Sequence, residues 1–180
     1  MLVAVLNRRA LAIKETVLGP EHPSTLTSVS NLAVVLQAQG KYEEAETMNR
    51  RALVGNETVL GPEHPSTLMS VNNLAQVLQA QGKYEEAEMM NRRALAGNET
   101  VLGPEHLLTL TSVSDFAVVL QAQGKYEEAE TMNRRALAIK ETVLGPEHPS
   151  TKDSCRHGIN EGSRAEMGSS WSSQAVTASL

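Results

Sequence analysis

The 180-residue sequence holds one cysteine, Cys155, and almost no aromatics: three Tyr, one Phe and one Trp, or 3% in all. A single thiol cannot form an internal disulfide or share a thiolate metal site, and it suits a reducing compartment, so a cytoplasmic location is expected. With so few rings, any core must be built from Leu, Val, Ala and Met, which favours helix packed on helix. Basic stripes are missing too. Net charge is −5, and the Arg pairs Arg8-Arg9, Arg50-Arg51, Arg92-Arg93 and Arg134-Arg135 stand near Glu clusters, so nucleic acid is not an expected partner. "MLVAVL" at the start is too short for a secretory h-region and runs directly into repeat sequence; no export signal and no membrane span are expected. No GxxxxGK[ST] phosphate loop occurs, and no heptad coiled coil.

What is present is repetition. "GKYEEAETMNRRAL" fills Gly40 to Leu53 and returns from Gly82, with Met89 for Thr47, and from Gly124. Tyr42, Tyr84 and Tyr126 are 42 residues apart, and Pro20, Pro62, Pro104 and Pro146 keep the same step. A catalytic site needs each critical residue once, whereas a packing unit gains by being copied.

Each period contains two helical patterns. The first opens after Gly19-Pro20-Glu21 with Pro23 in its first turn, where a missing N–H costs nothing. Leu26, Val29, Leu32, Ala33 and Leu36 follow at helical spacing, and Gly40 is placed to stop the helix. The second runs from Tyr42 to about Leu60, with Glu43, Glu44 and Glu46 near its positive end and Glu46 four residues before Arg50. Two such helices cannot bury their stripes alone, so pairs must stack. The expected fold is all-α, a right-handed α-solenoid of antiparallel helix pairs. Residues 1–18 match only a second helix, 19–151 hold three pairs, and 152–180 form a Ser/Gly-rich tail expected to be disordered. Neither end reads as a polar cap, so further repeats are expected upstream.

The order Leu32-Ala33, Gly40, Tyr42, Ala45, Ala52-Leu53 resembles the tetratricopeptide repeat. The 42-residue period, with "NLAVVLQAQGKYEEAE" and "VLGPEHP", is similar to the lengthened repeats of kinesin light chains and nephrocystin-3, and more so to arrays at the C-termini of fungal nucleotide-binding receptors. That resemblance implies a non-enzymatic module that takes a protein or peptide partner in a concave groove lined by first helices. It implies no cofactor and no metal.

Other chemistry is weak. The pairs Glu21-His22, Glu63-His64, Glu105-His106 and Glu147-His148 could be metal ligands or acid/base groups. Equivalent residues of successive repeats, however, lie roughly 10 Å or more apart, whereas zinc holds its nitrogens at about 2 Å. A helix-entry or loop-packing role suits these histidines better. Glu43 and Glu44 are adjacent and diverge, which fits a solvated first turn rather than a carboxylate pair. Tyr42 is expected to wedge between the helices of its own repeat, the alternative being a ligand-stacking ring. The Asn-Glu-Thr sequons at Asn56 and Asn98 are read as accidental.

Where the copies differ is more informative. Residues 25–66 and 67–108 differ at Thr27/Met69, Ser30/Asn72, Val34/Gln76 and four other positions, and the third copy adds Asn31/Asp115 and Leu32/Phe116. Three of these differences fall at i, i+3 and i+7 of the first helix. The candidate groove is therefore Thr27, Ser30, Asn31, Val34 and Gln37; Met69, Asn72, Asn73, Gln76 and Gln79; and Thr111, Ser114, Asp115, Val118 and Gln121. Through the resemblance, Asn31 and Asn73 occupy a slot that contacts a peptide backbone, and Asp115 departs from it. Drift on a tolerant exposed face is the competing explanation. The alternative function is a structural segment that self-associates through uncapped ends.

Overall fold

The computed structural model describes residues 2–145. The expected tail, Cys155 and the Glu147-His148 pair lie outside the described residues. Seven helices follow one another among these residues: α1 Leu2–Leu18, α2 Pro23–Ala38, α3 Tyr42–Leu60, α4 Pro65–Ala80, α5 Tyr84–Leu102, α6 Leu107–Ala122 and α7 Tyr126–Leu144.

Local chemistry sets these bounds. His22 and His64 precede a proline at the first helical position, and each Nδ1 accepts the N–H of the residue two ahead, from Ser24 and Ser66, at 3.1 Å; His106 does the same for Leu108 at 3.2 Å. The repeated histidine is thus a helix N-cap, satisfying a donor that the helix cannot. At the other end Gly40 has φ +73°, Gly40 N–H donates to Gln37 at 2.9 Å and Lys41 N–H to Leu36 at 3.0 Å. This is a Schellman ending, and the left-handed backbone it requires explains the glycine. Gly82 repeats it with φ +76°.

Packing runs strictly along the chain. Each helix packs on the next, and α2, α4 and α6 also touch in turn, whereas the backbones of α3, α5 and α7 stay apart among the described residues. A layer whose members converge lies on the inside of a curve, so the first helices form the concave face of a right-handed α-solenoid.

Three apolar clusters continue one another. Leu11 of α1 packs with Val29, Leu32, Leu36, Ala45, Ala52 and with Val77 of α4, and the second cluster repeats the pattern from Leu53 to Val119. The third gathers Leu95, Val113, Phe116, Leu120, Ala129 and Ala136. Each cluster borrows from the neighbouring repeat, so burial depends on stacking. Ala45 and Ala52 are fully buried, and Gly55 lies against Leu26, where a Cβ would come within 2.5 Å of Leu26 Cδ2. Small residues on the second helices thus let the larger first-helix side chains approach closely.

The aromatic wedge is not observed. Tyr42 is 37% and Tyr126 69% exposed, and Tyr42 borders Gln81 and Lys83 of the following repeat rather than sitting inside its own.

Candidate peptide-binding groove

The concave face is made by one stripe from each first helix. Thr27, Asn31 and Val34 on α2 are exposed, as are Met69 and Gln76 on α4 and Thr111 and Val118 on α6; Asn73 and Asp115 are half-buried. No hydrogen bond among the described residues holds the side-chain amide of Asn31 or Asn73. Buried asparagines of the second helices have their donors occupied. Asn49 Nδ2 donates to the Asn73 carbonyl at 3.2 Å, Asn56 Nδ2 to Ser70 Oγ at 2.9 Å and Asn98 Nδ2 to Ser112 Oγ at 2.8 Å. Asn56 and Asn98 are buried in these helix contacts, which agrees with reading their sequons as accidental.

Some candidate residues are not on the open face. Ser30 is buried. Asn72 and Ser114 are half-buried: Asn72 Nδ2 points to Ser112 Oγ at 3.5 Å, its Oδ1 is enclosed, and Ser114 Oγ donates to the Leu110 carbonyl at 3.1 Å. At 100° per residue a step of three falls about 60° short of a full turn, which moves these positions towards the neighbouring first helix. Gln37, Gln79 and Gln121 share that flank and are half-buried.

Charge divides the two layers. Of the 48 residues in α2, α4 and α6, Asp115 alone is charged. Burial pushes its carboxyl above the ordinary value, against a hydrogen bond from Gln76 of α4. No ion pair to Asp115 exists among the described residues.

The second helices carry two parallel ladders that the sequence reading missed. In one, Arg8, Arg50 and Arg92 reach forward to Glu44, Glu86 and Glu128; in the other, Glu15, Glu57 and Glu99 receive Arg51, Arg93 and Arg135. Each rung joins residues 36 apart in sequence, a constant that was present in the repeats. Glu44 is therefore paired, not simply solvated. Glu46 and Glu88 form a third set of links. Glu46 accepts from Arg50 of its own helix and Lys83 of the next repeat, both at 2.8 Å, and its side chain is 13% exposed, so it is no open surface pair. Burial alone would raise its pKa, but the Lys83 and Arg50 hydrogen bonds hold it at about 2. At Glu88 the Lys125 hydrogen bond outweighs burial and, with Arg92, gives the same value of about 2.

Among the described residues no group of three or more His, Cys, Asp or Glu could hold a metal, and no helix is long and apolar enough to cross a membrane.

The arrangement matches known proteins. The family model for the tetratricopeptide repeat matches residues 6–54, 30–100 and 66–142. No curated protein matches the chain. Among solved structures, nearly identical TPR-like repeats from Podosopora anserina, of kinesin light chain type, are 33% identical with a TM-score of 0.79, covering 91% of this chain and 79% of that one. A single-substitution form of them is 31% identical with a TM-score of 0.80 and the same coverage. BtubC (BKLC) from P. vanneervenii, 20% identical over 98% of this chain and 77% of that one with a TM-score of 0.72, shares the fold. Helix pairs, close-contact Ala positions and family match together establish that the chain belongs to the tetratricopeptide repeat family, in its kinesin light chain-like form.

Proposed function

We propose that the chain is a cytoplasmic, non-enzymatic binding module that holds a peptide or extended segment of a protein partner along its concave face. The observation carrying this reading is the set of unpaired amides. Asn31 and Asn73 present donors and acceptors on the inner stripe, while the buried asparagines of the second helices are tied to neighbouring helices. An extended peptide has free N–H and C=O groups that such amides match. The copies also diverge on this stripe, at Thr27/Met69 and Val34/Gln76, while the Arg–Glu ladder of the outer layer repeats unchanged.

Asn31→Ala with Asn73→Ala should weaken a groove-bound peptide by about 1 kcal/mol per lost hydrogen bond, with the helical melting curve nearly unchanged. Arg50→Ala on the outer layer is the control and should leave affinity as it was. Isothermal titration of the three proteins separates the cases: loss with Arg50→Ala alone would assign recognition to the outer surface.

A second reading, self-association, rests on one feature. Val3, Leu6 and Ile13 of α1 form an exposed apolar stripe at positions equivalent to Ala45, Met48 and Gly55, a face that α2 packs against in α3. Light scattering over a concentration series should show growth under this reading and a constant monomer mass under the first.

A further inference from the structure

Resting on the groove reading, the charge pattern narrows the ligand. The three first helices are neutral except for one carboxylate, and that carboxylate stands on the stripe itself: Asp115 takes the slot of Asn31 and Asn73. Lys and Arg are confined to the second helices and the loops, and the Arg side chains of both ladders are engaged with Glu. Asp115 is half-buried with one neutral donor, Gln76, and no cation, so the folded chain leaves its charge uncompensated. A partly desolvated carboxylate in that position favours an incoming cation and opposes an incoming anion. Beside it, Val118 is 48% exposed one turn along α6, and Met69 is 55% exposed on α4. The first gives an aliphatic stem something to lie on, and the second is a soft contact for an apolar side chain.

We propose that the groove selects a peptide with a lysine or arginine whose cationic head pairs with Asp115 in the third repeat, and with an apolar residue over Met69 in the second. The spacing between the two follows from geometry. Neighbouring helices lie about 8–10 Å apart and an extended chain advances about 3.3 Å per residue, so the residues stand about three positions apart. Acidic peptides are excluded, because the concave helices offer no basic group to receive them.

The test is selection of random dodecapeptides displayed on phage against the full chain, followed by synthesis of the enriched sequences. Groove peptides are first recognised by their weakened binding to the Asn31→Ala, Asn73→Ala double variant. These should carry a Lys or Arg at one register with an apolar residue about three positions away. Asp115→Asn, which restores the residue of the other two copies and so keeps the fold, should lower their affinity by about tenfold. Replacing the peptide lysine by acetyl-lysine should cost as much on the parent and nothing further on Asp115→Asn. Combining Asp115→Asn with Asn73→Asp should bring the preferred basic residue to about two positions from the apolar one, because Asn73 stands one turn, about 6 Å, from Met69 on α4. Groove-dependent peptides that lack a basic residue, or that bind Asp115→Asn as tightly as the parent, overturn the charge assignment and leave the groove standing. Enriched peptides indifferent to the double Asn variant overturn the groove reading and this inference with it.

Discussion

The inner and outer layers of the array are built from neighbouring helices of the same repeat, yet they follow opposite rules. The outer helices are dense in Arg, Lys and Glu, and most described cations pair with a carboxylate across a repeat boundary or one turn away. The inner helices carry a single charge and leave two amides unpaired. The Arg and Glu of the rungs agree between copies, and of the positions that differ, Thr27/Met69 and Val34/Gln76 lie on the open concavity. On the groove reading proposed above, stacking and recognition fall on opposite sides of one framework, and the inner stripe can change without disturbing the register of the array.

That separation breaks most severely in the apolar layer that both sides share. Leu78 is 1% exposed within the middle cluster, and Leu78→Ala should cost about 2–5 kcal/mol in urea unfolding through the cavity left behind. Gly82→Val should cost about 1–3 kcal/mol by a different route: nothing lies within 4 Å of a Cβ there, but φ is +76°, which a β-branched residue tolerates poorly. A Gly82→Val protein as stable as the parent would mean that the helix ending is not held in the left-handed conformation.

A smaller effect distinguishes the links of the outer layer from each other. Glu88 bridges Arg92 and Lys125, whereas Glu130, its counterpart on α7, pairs with Arg134 and is 49% exposed. Glu88→Gln should lower stability by about 1–2 kcal/mol at pH 7, and Glu130→Gln by under about 0.5 kcal/mol. The pH dependence follows from the lowered pKa values. With Glu46 and Glu88 at about 2 in the folded chain against an ordinary 4.5, their stabilisation is complete above about pH 4.5 and is lost as the pH falls towards 2. The Glu88→Gln difference should therefore shrink through that window. A difference that stays constant from pH 7 to pH 2 would show that the loss is steric and not ionic.

Much of this was legible in the sequence because punctuation and periodicity are local. Pro23, Gly40 and Gly61 bracket helices whose observed limits agree with the expected ones, and the Leu26 to Leu36 stripe is the buried one. Helix entry was legible for the histidines as one of two readings, the other being loop packing, and the cap itself, which acts on a residue two positions away, decides between them. What escaped depends on the step between repeats. The Arg50–Glu86 rung, the burial of Glu46 under Lys83 and the placement of Tyr42 against the next repeat all need the relative rotation of two pairs, which helical period does not encode. Ser30, Asn72 and Ser114 fall in the expected groove because the copies differ at that position, but the close approach of α2, α4 and α6 takes this flank.

The finest test of the separation is a substitution on the inner stripe that ought to raise stability. Asp115 is the one position where the neutral rule of the concave helices is broken, and burial lifts its pKa above the ordinary 3.8. A carboxyl with a raised folded pKa binds its proton more tightly in the folded state. Ionisation therefore opposes folding, and the penalty grows as the pH rises through and above 3.8, while below it the penalty disappears. Asp115→Asn removes the charge, and Asn31 and Asn73 show that the slot accepts the amide. The variant should melt slightly higher than the parent at pH 7, by about 0.5 kcal/mol, and the two should converge near pH 3. If Asp115→Asn instead lowers the melting temperature at pH 7, the carboxylate is already satisfied within the fold, and the contrast between a committed outer layer and an uncommitted inner one fails at the residue that defines it.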